Sequence, residues 1–317
     1  LIILIAALLF NFSFAAEPKV EQQDWETFKF LDQTQRFISN QWIGLNYNLD
    51  TFFSNENYKL NQNQSLIMAY YGVLKKESAP AQYAFDLRVK IHLPKTTSRM
   101  RIVVEKERDE IAQTVNSEAG IVRSSNTTAD ASGTVRNSNY IAGLTYLLTE
   151  NKNFQTFLDS GMRIVLPLDP YIKLRVQKNI KTSWVNIFAS QGFFLFRQDG
   201  FQEITQLSFF RKINNRFQLE LINTLSWTDR GDAFAERNNL ILYHQVSDTK
   251  SLSYSAGANA KLSPTFYYDS YDASINYRQL IHKNWLFMFL SVGAEFFKEH
   301  DFQMEKFVQA RLEVFFR

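Results

Sequence analysis

The chain has 317 residues, 35 Lys and Arg against 32 Asp and Glu, 45% hydrophobic and 15% aromatic residues, and no cysteine. A net charge of +3 is too small to argue for nucleic acid, so none is expected as a partner. The lack of Cys excludes a disulfide framework and thiolate metal sites. Beyond the N-terminus no apolar run approaches the ~20 residues of a membrane helix, which excludes helical spans but not strands, whose alternate residues are polar.

Residues Leu1 to Phe10 form an apolar core too short to span a bilayer, followed by Asn11-Phe12-Ser13-Phe14-Ala15-Ala16-Glu17-Pro18. Ser13 and Ala15 are the small residues required before a cut after Ala15, so 1–16 reads as a cleaved secretory signal. The chain has no initiator Met and no basic n-region, and the expectation is that its natural start lies upstream. In the next stretch Trp25, Phe28 and Leu31 recur every third residue among Gln, Asp, Glu and Lys. That spacing predicts an amphipathic helix near 22–39. With the Asn-rich stretch 55–64 as a linker, residues 17–64 are expected to form a periplasmic or plug-like segment.

From residue 65 to 317 the pattern is strand, break, strand. Runs near 65–77, 82–94, 97–108, 138–150, 154–167, 170–180, 183–197, 201–213, 216–229, 235–248, 251–263, 270–282, 285–298 and 304–317 give about fourteen membrane-length strands, or about twelve if 154–197 is misread. Alternation is cleanest in the last run, where Val308, Ala310, Leu312, Val314 and Phe316 share one face and Gln309, Arg311 and Glu313 the other. A period of two with unlike faces is a strand between two different media.

The breaks also sort into two kinds. Asn151-Lys152-Asn153-Phe154, Asn214-Asn215-Arg216-Phe217 and His282-Lys283-Asn284-Trp285 place a basic, Asn-containing turn just before an aromatic, with Ile180-Lys181-Thr182-Ser183-Trp184 a looser copy. If strands run up and down, all four fall on one rim, as a periplasmic rim with an aromatic girdle requires. The Ser/Thr/Asn-rich stretch 109–137, and the breaks at 229–232 and 298–301, then fall on the other. An even strand count closes the barrel and leaves no exposed edge. The aromatic excess fits belts at the two interfaces.

Parity separates the faces. Tyr83, Phe85, Leu87, Val89 and Ile91 are expected toward lipid, with Asp86, Arg88, Lys90 and His92 toward the lumen. Ile172, Leu174 and Val176 face out and Lys173 and Arg175 in. Tyr271, Ala273, Ile275 and Tyr277 face out, and Asp272, Ser274, Asn276 and Arg278 in. Arg99, Arg101, Glu220, Glu295, Arg311 and Glu313 are assigned inward as well. The lumen and selectivity set is therefore Asp86, Arg88, Lys90, Arg101, Lys173, Arg175, Asp272, Arg278, Glu295, Arg311 and Glu313. An Arg or Lys facing the bilayer midplane costs about 2–4 kcal/mol, so these charges meet water or each other. Both remain open: a wet selective wall, or a lumen knitted shut by ion pairs, with Glu295, Arg311 and Glu313 suited to pairing across the last two strands.

On these residues the chain resembles a Gram-negative outer-membrane β-barrel protein, porin-like but of no identified subfamily. The resemblance covers 65–317 as a pattern and 1–16 as a signal. In such proteins the closing strand ends in an aromatic that the barrel-assembly machinery reads; Phe315 and Phe316 fit, and Arg317 after them departs from the pattern. The resemblance implies an all-β, antiparallel up-and-down transmembrane barrel in the cell outer membrane. The partners it implies are outer-membrane lipid, lipopolysaccharide and the assembly machinery. A passive channel for small polar solutes leads; a non-conducting scaffold or interaction barrel is second. A lipid-modifying enzyme is third, since none of His92, His244, His282 and His300 sits in a recognisable catalytic motif. No catalytic residue, cofactor or metal site is expected.

Overall fold

The structure, a computed structural model, describes residues 32–33, 35–36, 66–92, 99–106, 140–151, 153–229, 233–263 and 265–316. The expected signal 1–16, all but four residues of 17–64, and the stretch 109–137 lie outside them. Fourteen antiparallel strands run in chain order: β1 (Leu66–Lys76), β2 (Gln82–His92), β3 (Met100–Lys106), β4 (Tyr140–Asn151), β5 (Phe154–Ile164), β6 (Asp169–Lys181), β7 (Asn186–Phe196), β8 (Gly200–Lys212), β9 (Phe217–Thr228), β10 (Ala233–Ser247), β11 (Lys250–Lys261), β12 (Tyr267–His282), β13 (Leu286–Phe297) and β14 (Met304–Phe316). Each pairs with its sequence neighbours, and β1 pairs with β14, from Ile67↔Phe316 to Lys76↔Phe307, so the sheet is a closed barrel. Asp32, Gln33, Gln35 and Arg36 are helical, inside the span expected from the spacing of Trp25, Phe28 and Leu31.

The alternation that predicts the strands also fixes their roll. On β14 Phe307, Arg311, Glu313 and Phe315 are buried while Val308 and Leu312 are exposed. The same division runs around the barrel, with Tyr83, Phe85, Ile172, Ile275 and Val292 exposed on the outer face. A one-residue slip would exchange the two faces on a whole strand, which is why so regular a pattern specifies register. Register shifts at Leu147/Thr149, Gln245/Ser247 and Leu280/His282 lie close to one rim, where bulges bend a strand out of its ladder. This is the rim of the short basic turns.

Close packing inside the wall depends on one glycine pair. Gly143 on β4 faces Gly161 on β5, and Gly161 in turn faces Tyr171 on β6. A Cβ on Gly143 would lie 2.6 Å from the Ser160 carbonyl oxygen and against the Tyr171 hydroxyl. The missing side chains let the Tyr171 ring lie flat over the strands, an aromatic covering bare backbone. Buried Ile141, Tyr171, Phe194 and Phe196 form a cluster around it.

The two rims treat their aromatics differently. Near the other rim Phe193, Phe201, Trp227 and Phe234 form a continuous row on the outer face of β7 to β10, with ring centroids 6.3, 5.8 and 6.0 Å apart. At the short-turn rim Phe154 and Trp184 are exposed, and Phe217 stacks on His244 at 4.3 Å. Trp285 departs from the expected girdle. It is buried with Met68, Leu286 and Phe315, because its indole N–H has a carboxylate partner inside the rim.

Candidate functional site

The inward face divides into three sectors. Strands β2 to β6 carry a basic arc. Asp86 and Arg88 are buried on β2, and Lys90 follows at the same parity, opposite Leu66. Asp86 accepts hydrogen bonds from the hydroxyls of Tyr140 (2.7 Å) and Tyr70. On β6, Lys173 and Arg175 flank Asp159 of β5 at 3.8 and 3.6 Å. Arg163 lies 3.2 Å from Asp169 and also holds Asp199. The cations rest on rings: Arg163 is 3.9 Å from the centroid of Phe196, Lys173 4.6 Å from Phe194, and Arg175 and Arg101 4.9 and 5.6 Å from Phe157. A ring face attracts a cation and holds it along the wall.

Strands β8 to β12 carry mainly amides and hydroxyls. Ser255 and Ser274 are 2.7 Å apart, Asn259 donates to Ser270 at 2.9 Å, and Asn276 donates to Ser253 at 3.2 Å. A buried ion pair crosses this sector: Arg237 reaches Asp272 at 3.3 Å and Asn259 at 2.9 Å. Gly257 makes room for it. A Cβ there would sit 2.6 Å from an Asp272 carboxylate oxygen and 2.7 Å from the Asn239 amide oxygen.

The third sector, β12 to β14 with β1, is an arginine–carboxylate knot. Glu313 takes Arg278 at 2.9 Å and also Arg311. The Arg278 guanidinium lies 3.9 Å from the Phe287 centroid, and Arg311 lies between Phe289 (4.6 Å) and Tyr70 (4.8 Å). Glu295 pairs with Lys76 of β1 at 2.7 Å. The sequence reading pairs Glu295, Arg311 and Glu313 across the last two strands. The structure keeps Arg311 with Glu313 and gives Glu295 a partner on the far side of β14.

Every residue of the lumen set thus lies on the inward face: Asp86, Arg88, Lys90, Arg101, Lys173 and Arg175 in the basic arc, Asp272 in the amide sector, and Arg278, Glu295, Arg311 and Glu313 in the knot. Arg163, Asp159, Asp169 and Arg237 join them. So do the inward rings Phe157, Phe194, Phe196, Phe289 and Phe315, all buried. Parity would have found the charges. The rings are hidden from it, because an apolar residue is by default assigned to lipid.

At the short-turn rim the helical residues meet the barrel. The Asp32 carboxylate lies 3.0 Å from His282 Nε2, accepts a hydrogen bond from the Trp285 indole N–H at 3.2 Å, and holds the Lys283 ammonium. The Gln35 amide reaches the Phe315 carbonyl at 3.5 Å. Burial alone would raise the pKa of Asp32, but hydrogen bonds from Lys283, His282 and Trp285 outweigh it and hold the carboxyl below its ordinary value. Among the described residues no group of three or more His, Cys, Asp or Glu is set to hold a metal ion. His244 is engaged by a ring rather than by a serine.

No protein-family model and no curated protein sequence matches the chain. Solved structures do. A loop L8 deletion mutant of OmpT, an outer membrane protein of Vibrio cholerae, is 7% identical, with a TM-score of 0.50 over 80% of this chain and 99% of that one. The outer membrane channel DcaP of Acinetobacter baumannii is 8% identical, with a TM-score of 0.46 over 80% and 96%. An anion-selective porin from Comamonas acidovorans is 9% identical, with a TM-score of 0.44 over 80% and 98%. At such identities the likeness is one of architecture: the chain has the closed antiparallel barrel fold of a Gram-negative outer-membrane protein.

Proposed function

We propose that this protein is an outer-membrane channel for small polar solutes, exported by the 1–16 signal. Its short-turn rim lies in the periplasm and its longer loops face outward. One observation carries the reading. The outer face of β2 to β6 is largely apolar, while their inner face sets Arg88, Lys90, Arg101, Arg163, Lys173 and Arg175 against Asp86, Asp159 and Asp169, with Glu105 and Glu150 at inward register positions toward the two rims. Charged rings of this kind favour solutes of the opposite sign. The aromatic seats under Arg163, Lys173 and Arg175 hold long side chains flat, which favours an unobstructed path.

The runner-up, a non-conducting barrel with an interaction role, has one observation in its favour. Asp32 and Gln35 bond to residues of the short-turn rim, and the 17–64 segment to which they belong would act there as a cap. Refolded protein in a planar bilayer separates the two. The channel reading expects discrete conductance steps and, in a salt gradient, a reversal potential favouring anions. Absence of steps at every voltage refutes it in favour of the cap. Arg88→Glu with Lys90→Glu should move the reversal potential toward cations, and an unchanged potential refutes their selectivity role.

A further inference from the structure

Parity places a polar network on the wrong side of the barrel. Gln191 of β7, Glu203 and Thr205 of β8, Asn223 of β9, and Glu236 and Asn238 of β10 all point outward. Their neighbours in the ladder are the outward Phe193, Trp227, Leu225 and Leu207. They bond to one another. The Gln191 amide donates to Glu203 at 2.7 Å, and the Thr205 hydroxyl donates to Gln191 at 2.6 Å. The Asn223 amide donates to Glu236 at 2.8 Å and to Asn238 at 2.6 Å, and the Asn238 amide donates to Glu236 at 2.9 Å.

Depth makes the network costly. Phe201, Trp227 and Phe234 lie one residue from the strand ends Gly200, Thr228 and Ala233, while Thr205, Asn223 and Asn238 lie five residues in. At ~3.4 Å per residue and a tilt of about 40°, those side chains lie roughly 10 Å on the bilayer side of the aromatic row. Polar groups at that depth need partners other than lipid tails. The internal bonds leave capacity unused. Each glutamate keeps a second oxygen that no bond within the network uses, and the Gln191 and Asn238 amides each have a further N–H.

The deeper row is symmetric about the β8–β9 seam, Gln191 of β7 matching Asn238 of β10 and Thr205 of β8 matching Asn223 of β9, with Glu203 and Glu236 beside it on β8 and β10. Glu203 and Glu236 are each three residues from their strand starts, and Gln191, Thr205, Asn223 and Asn238 are each five from the same rim. We propose that this face binds a second copy of the chain, through a two-fold axis along the membrane normal at the β8–β9 seam. Such an axis brings residues of equal depth together. It sets Gln191 of one copy against Asn238 of the other and Thr205 against Asn223, so that amide N–H groups meet amide and hydroxyl oxygens. Carboxylates disfavour a lipid phosphate, and phosphate headgroups lie above the aromatic row rather than below it.

The chain has no cysteine, so single cysteines report proximity cleanly. Leu225→Cys, between the two halves, should give a disulfide-linked dimer in native membranes. Val292→Cys, exposed on β13 well away from this face, should not. Replacing Glu203, Glu236 and Asn238 with Leu makes the face suit lipid better, so the barrel should still fold and the Leu225→Cys dimer should disappear. Equal crosslinking at both positions, or a dimer that survives the leucine variant, overturns the proposal. So does a monomeric protein that retains lipopolysaccharide through these residues and loses it in the variant.

Discussion

Replacing Glu313 by Gln tests whether the β12–β14 knot is dry. Glu313, Arg311 and Arg278 have side chains 3%, 7% and 12% exposed. The substitution keeps volume and shape but leaves two guanidinium groups, each seated on a ring, without their shared carboxylate. Removing one partner of a buried ion pair costs about 3–5 kcal/mol, because a charge is left desolvated without compensation. The amide oxygen can still accept one hydrogen bond, so the lower end, about 3 kcal/mol, is expected. If the knot were washed by water, the pair would be worth ~0–1 kcal/mol. With a urea slope of about 2–3 kcal/mol per molar, the dry knot predicts a midpoint lowered by roughly 1–1.5 M. Refolded protein in detergent micelles, unfolded in urea and followed by tryptophan fluorescence, reads this directly. Glu305→Gln, near the loop rim, should leave the midpoint in place. A Glu313→Gln shift below about 0.3 M would refute the desolvated knot. Combining Glu313→Leu with Arg278→Met and Arg311→Met should recover much of the loss, since an apolar replacement of all three groups no longer strands a charge.

Two further outcomes follow from particular contacts. Gly161→Ala drives a methyl into the Ala142 carbonyl oxygen and the backbone of Gly143. It should lower stability by about 1–3 kcal/mol, visible as a lower temperature for the folded-to-unfolded mobility shift on a gel. An unchanged temperature would mean the β4–β5 contact is looser than described. The Asp32 tether should be pH-dependent in a defined sense. Its carboxyl is held below the ordinary value, so the contribution is full above that value and is lost as pH falls through the lowered one. The Trp285 component of the fluorescence, taken as the difference from a Trp285→Phe variant, should stay constant from neutral pH down to the ordinary carboxylate range and change only below it. Asp32→Asn should show the low-pH signal at neutral pH, and a transition near neutrality would refute the assignment.

Much of the barrel is legible in its sequence, and the reason is local. On β14 and β12 each residue faces one of two unlike media, so strand, register and roll follow from the same alternation. The inward charges are legible for the same reason. What alternation hides is any residue whose polarity disagrees with its side. Phe194, Phe196 and Phe289 face inward because cations lie on them, a pairing between strands that no single-strand pattern contains. Gln191, Glu203, Asn223 and Glu236 face outward, and they blur β7 to β10 into runs of mixed character. Lys76 escapes notice as a partner of Glu295 because the two meet only when β1 closes on β14. The Asp32 contact joins residues some 250 positions apart, which only the folded chain can reveal.

The β1–β14 seam also sets a clock. Each other seam joins strands adjacent in the chain and can zip as a hairpin grows, whereas this one waits for two strands far apart in sequence to meet. Until Phe316 meets Ile67, both terminal strands carry open rows of backbone donors and acceptors, the templates that promote wrong pairing. Whatever inserts this chain has to guard two edges at once. The arrival of β14 at β1, rather than the slowest-pairing hairpin, decides when the wall closes.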